Sequence, residues 1–107
     1  MVPPRTTGGA DTMRLAELQH LAPQIHELLG RFGASNLAVF GSVARDRASA
    51  GSDVDLLVDL PDGASLFDRA ELKSALEELL VSRVDLIRRR NLKPGIREVV
   101  EAEAVIL

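Results

Sequence analysis

Residues 36–60 read NLAVFGSVARDRASAGSDVDLLVDL, and this stretch decides the fold. Asn36 to Phe40 is a short apolar run that ends on Gly41-Ser42, and Asp53 to Leu60 is a second one that ends at Pro61-Asp62-Gly63. Short runs rich in Val and Leu, bounded by Gly, Ser and Pro, are the pattern of strands rather than helices. Residues 43–47 can add a helical turn, and Ser49 to Ser52 forms a loop around Gly51. Two strands joined through a Gly-Ser corner therefore stand at the centre of the chain.

Helical periodicity surrounds them. Leu15, Leu18 and Leu21, then Ile25, Leu28, Leu29 and Phe32, keep one apolar stripe. Pro23 interrupts it, which predicts two short helices with Pro23 in the first turn of the second. Thr12 is placed to cap the first near Met13, with Glu17 close to capping-box range, and Gly30 and Gly33 offer the stop of the second. Ser65 caps a helix running to about Leu80, whose apolar side is read as Leu66, Phe67, Ala70, Leu72, Ala75, Leu76, Leu79 and Leu80. Val84 to Ile87 is a third strand. Pro94 opens a last helix carrying Ile96, Val99 and Val100, and Ala104 to Leu107 can dock as an edge strand. The order α-α-β-β-α-β-α, with that optional last strand, predicts an α/β domain around a small sheet. Residues 1–12 are read as a leader, with the Pro-, Gly- and Thr-rich opening disordered, and 13–107 as one domain.

Composition narrows the chemistry. The 107 residues include three Phe, no Tyr, no Trp and no Cys. An aliphatic core is implied, and a binder of single-stranded nucleic acid built on stacking rings is disfavoured. Thiol nucleophiles, disulfides and Cys-based zinc sites are excluded. No apolar run is long enough to span a membrane and no signal-peptide pattern opens the chain, so a cytoplasmic protein is expected. The net charge of −3 argues against bulk binding to nucleic acid. The distribution is uneven: Asp46, Asp53, Asp55, Asp59 and Asp62 crowd one segment, and Arg83, Arg88, Arg89, Arg90, Lys93 and Arg97 another. Such runs mark either a site or two solvated faces. Arg88 to Arg90, with Lys93, read as a contact surface for nucleotide phosphate, RNA or an acidic partner, or, more simply, as a solvated strand end. His20 and His26 are six residues apart and do not form a helical metal pair.

Asp53 and Asp55 are two apart on a strand, so they share a face with Cα atoms about 6.5–7 Å apart. Val54, Leu56 and Val58 then point to the opposite, buried face. Two carboxylates at the mouth of a sheet are costly unless a cation lies between them, and Mg²⁺ favours a few carboxylates plus substrate phosphates. Asp85, opening the third strand, can bring another carboxylate to that face. Gly41 lets backbone approach a phosphate closely, and Ser42 adds a hydroxyl donor. Each feature alone is also an ordinary turn or strand end.

Taken together, Gly41-Ser42-Val43-Ala44-Arg45 and, after a spacer, Ser52-Asp53-Val54-Asp55-Leu56-Leu57-Val58 resemble the signature of the DNA polymerase β-like nucleotidyltransferases, and of their minimal nucleotidyltransferase branch in particular. The resemblance covers about residues 13–107. It implies a small mixed sheet packed with helices, and two-metal nucleotidyl transfer. Asp53 and Asp55 would hold two Mg²⁺ ions, Asp85 would ligate the catalytic one and help deprotonate the attacking hydroxyl, Gly41 and Ser42 would hold phosphates, and Arg45 would contact the triphosphate. The family often has Gly where this chain has Asp46, which adds a carboxylate near that site. The branch implies an antitoxin paired with a helical HEPN-type toxin, AMP passing from ATP to the toxin. With no Tyr in this chain, a tyrosine acceptor would belong to another molecule. Two other readings stand beside it: a binding module that neutralises its partner by contact, and the catalytic subunit of a small-molecule nucleotidyltransferase.

Overall fold

The computed structural model describes residues 13–45 and 53–107. Helices α1 (Leu15–His20) and α2 (Ala22–Arg31) lead into strand β1 (Ser35–Phe40), the one-turn helix α3 (Gly41–Ala44) and strand β2 (Val54–Asp59). Helix α4 (Leu66–Leu80), strand β3 (Val84–Arg88), a 3₁₀ turn over Arg89–Asn91, helix α5 (Pro94–Glu103) and the short strand β4 (Val105–Ile106) complete the chain. The sheet order is β3-β2-β1-β4, with β2 and β3 parallel and the other pairs antiparallel. The parallel pair requires a crossover, which α4 supplies. This is the mixed α/β architecture expected from the sequence, and Ala104 to Leu107 does contribute the edge strand.

Val54, Leu56 and Val58 of β2, Leu86 of β3 and Leu72, Leu76 and Leu80 of α4 are buried together with Leu18, Ile25 and Leu29 of the first two helices. Full burial of a Leu or Val side chain is worth about 1.5–3 kcal/mol, so this aliphatic layer dominates stability. Leu57 and Ala38 are also buried, so the second sheet face is covered over its middle.

Helix ends follow the sequence, with two exceptions. Ser65 accepts from the Asp68 amide at 3.1 Å while the Asp68 carboxylate accepts from the Ser65 amide at 2.9 Å, a complete capping box. Pro23 and Pro94 sit in the first turns of α2 and α5, where a missing N–H costs nothing. Gly33 ends α2 at φ +65°, with the Ala34 amide on the Leu29 carbonyl at 3.0 Å and its own amide on Gly30 at 3.3 Å. That is a Schellman closure, and Gly30 lies inside the helix rather than at its stop. The first helix starts at Leu15, not Met13, because Met13 is buried in the core and Arg14 is extended. Thr12 lies outside the described residues. On α4 the stripe Leu72, Leu76, Leu80 meets the core, whereas Leu66 and Phe67 are 80% and 81% exposed. At about 100° per residue, Phe67 and the likewise exposed Ala70 fall on the side away from that stripe, and Leu66 flanks it.

Candidate active site

The parallel register decides the site. Asp55 pairs with Asp85, as Val54 does with Val84, and across the antiparallel ladder Phe40 pairs with Asp55. Paired residues point to the same face, so both carboxylates project together beside the end of β1. Asp53 comes one alternation earlier, directly before β2, and shares that face.

Gly41 follows at the end of β1 with φ +72°, a region open to glycine. A Cβ at this position would overlap the Asp55 carboxylate, so only glycine lets the backbone pass there. Val43 is buried and anchors the one-turn helix, which holds Ser42, half-buried, at the corner. Arg45 ends the turn, with its guanidinium 3.8 Å from the Glu103 carboxylate of α5. Asp46, the departure from the family pattern, lies outside the described residues.

Electrostatics single out Asp55. Burial, then the neighbouring charges of Asp85 and Asp53, push its pKa above the ordinary carboxylate value. Asp53 is turned toward the Arg83 guanidinium at 3.4 Å. Among the described residues, no three His, Cys, Asp or Glu side chains are gathered closely enough to share one ion as they stand. The donor set nonetheless fits a divalent cation: hard carboxylate oxygens on adjacent strands, one half-buried and burdened by two like charges, beside a glycine whose missing Cβ makes room for that carboxylate.

Arg88 to Arg90 are engaged by the protein's own groups, Arg89 largely buried and Arg90 still in solvent. Arg89, only 14% exposed along its side chain, sits between the Asp59 carboxylate at 2.7 Å and that of Glu101 at 2.8 Å, and donates to the Asn36 carbonyl at 2.9 Å. It clamps β1, β2 and α5 at the end of the sheet away from Asp55. Arg88 reaches the Leu60 and Pro61 carbonyls at 3.5 and 3.4 Å, and Arg90 pairs with Asp62 at 3.0 Å. The two segments thus interlock through Asp59 with Arg89 and Asp62 with Arg90, while Asp53 and Asp55 lie on the carboxylate face. His26 has a structural contact, its Nε2 lying 2.8 Å from the Leu107 carbonyl. Arg83 stands in the sequence only as one of the basic run, and Glu103 reads there as a solvent-facing helix charge. Arg83 was legible in principle, since it lies two residues before Asp85 and so shares its face.

Comparison with known proteins gives the family of the chain. Residues 23–107 match the family model of the nucleotidyltransferase domain. The protein adenylyltransferase MntA of Thermococcus cleftensis is 47% identical over 79 residues, 74% of this chain and 80% of that protein. A solved structure carrying a provisional assignment as a minimal nucleotidyltransferase superposes with a TM-score of 0.79 at 46% identity, covering 89% of this chain and 97% of the other. A chain from a toxin–antitoxin crystal structure with AMP-PNP superposes with a TM-score of 0.67 at 26% identity, covering 78% of this chain and 69% of that one. Among the described residues, no helix is long and apolar enough to cross a membrane.

Proposed function

This chain belongs to the nucleotidyltransferase domain family, and from that premise we propose that it transfers AMP from ATP to a hydroxyl of a HEPN-type toxin in the cytoplasm, acting as the antitoxin. The observation that carries the reading is the Asp55–Asp85 rung beside Gly41, with Asp53 on the same face. The similar MntA, named a protein adenylyltransferase, and the AMP-PNP-bound toxin–antitoxin structure support the choice of nucleotide and of partner class.

Asp53, Asp55 and Asp85 would hold Mg²⁺, which when bound neutralises triphosphate charge and orients the attacking and leaving oxygens. The chain's own groups do the rest. The Gly41 backbone and the Ser42 hydroxyl meet the β- and γ-phosphates, Ser42 Oγ donating to them. The Arg45 guanidinium exchanges Glu103 for triphosphate oxygens, a charge-assisted contact stronger than its present long pair. Asp85, at the exposed rim of the rung, takes the proton of the acceptor hydroxyl. The hydroxyl oxygen bonds to the α-phosphorus, the bond from that phosphorus to the bridging oxygen breaks, and pyrophosphate leaves with the bridging electrons.

The test is the intact mass of the purified partner after incubation with this chain, Mg²⁺ and ATP. One or more AMP additions are expected, and none with the Asp53→Ala/Asp55→Ala double variant. No adduct, together with unchanged neutralisation by that variant, would sink the catalytic reading in favour of neutralisation by contact.

A further inference from the structure

We propose that Arg83 competes with the divalent cation for Asp53 and thereby sets the metal affinity of the carboxylate face. Three observations carry this. First, the Val54 amide donates to the Arg83 carbonyl at 2.8 Å, which fixes Arg83 on the ladder just before the Val54–Val84 rung. Second, strand alternation then places Arg83 and Asp85 on the face that carries Asp53 and Asp55, a square of three carboxylates and one guanidinium. Third, Arg83 Nε lies 3.4 Å from Asp53 Oδ1, with the two side chains 75% and 49% exposed. A pair this open is loose, so the guanidinium can leave without disturbing the core.

The consequence is a competition. A dication approaching Asp53 must displace the guanidinium or sit beside a like charge, and either weakens its binding. Mg²⁺ is ordinarily held by a few carboxylates together with substrate phosphates. With Arg83 in place, the carboxylates bind metal alone poorly, and the phosphates of an incoming nucleotide supply what is missing. Arg83 is a positioning residue here, acting through Asp53. The inference rests on the metal-dependent reading above.

Titration of Mn²⁺ alone into the full chain, followed by electron paramagnetic resonance of the free ion, tests both ideas separately. Wild type should bind Mn²⁺ weakly, and Asp55→Ala should lose that binding. Arg83→Gln should bind it about three- to tenfold more tightly, the size expected when a neighbouring unit charge is removed from an exposed site. Arg83→Lys, which keeps the charge, should stay near wild type, and added salt should narrow the gap between wild type and Arg83→Gln. Unchanged or weaker binding in Arg83→Gln, with Asp55-dependent binding intact, overturns the role of Arg83 alone. Binding that survives in Asp55→Ala, or no binding by either wild type or Arg83→Gln, overturns the metal reading and this inference with it.

Discussion

Two aspartates on β2 bear opposite relations to the fold. At Asp55, burial and the charges of Asp85 and Asp53 raise the pKa, so the folded state favours the protonated form. Its contribution to stability is complete below the unfolded pKa and is lost as pH rises through the folded one. Asp59 is the reverse: burial alone would raise it, but hydrogen bonds from Asn36 and Arg89 outweigh that and hold it low. Its contribution is present above the unfolded pKa and is lost as pH falls through the folded one. Asp55→Asn should therefore raise the melting temperature of the metal-free protein at neutral pH while abolishing transfer, and Asp59→Asn should lower it. Melts from pH 4 to 8 without metal check both signs; a lower melting temperature for Asp55→Asn would refute the strain assigned to that carboxylate. Val81 offers a separate case, a β-branched residue at φ +51° that caps α4 while 73% exposed. Left-handed backbone costs an L-residue about 1–2 kcal/mol, and little packing is lost here, so Val81→Gly should stabilise by about 1 kcal/mol in urea unfolding.

Between elements, long-range pairing explains what could be read in advance and what could not. Strands β1 to β3, the capping box of α4 and the two proline-led helices all follow from local signals, because periodicity, caps and proline geometry are written within a few residues. The roles of Arg88 to Arg90 were not legible in that way. Their partners Asp59, Asp62 and Leu60 lie about thirty residues away, and only the parallel register of β2 with β3 brings them together. The same register makes Arg83 a neighbour of Asp53, which no local pattern states. The solvent side of α4 departs from its apolar pattern for a related reason: Leu66 and Phe67 are apolar, but the core meets only the stripe that faces the sheet. Arg89 carries the most consequential of these pairings. Removing it strands two partly buried carboxylates and a backbone carbonyl, so Arg89→Ala should cost about 2–3 kcal/mol by urea denaturation. Arg90→Ala, whose partner Asp62 is fully exposed, should cost well under 1 kcal/mol. Equal losses in the two variants would refute the clamp.

At the scale of the molecule, stability and activity meet on one face. The aliphatic core on the far side of β2 holds the strands in register, while the near side keeps like charges together at the expense of stability. A ligand that relieves this repulsion must stabilise the whole fold, since it binds the native state and not the unfolded chain. Mg²⁺ with a non-hydrolysable ATP analogue at about one hundred times its dissociation constant should add about 2.7 kcal/mol. For a chain of this size that amounts to a rise of roughly 10–20 °C in melting temperature. Asp53→Ala/Asp55→Ala should melt no lower than wild type without ligand and should gain almost nothing when ligand is added. Gly41→Ala should lose most of the same gain, because its Cβ displaces the Asp55 carboxylate and φ +72° is strained for alanine. A ligand-induced rise that persists in the double aspartate variant would place nucleotide binding on another surface, and the carboxylate face would then have no part in it.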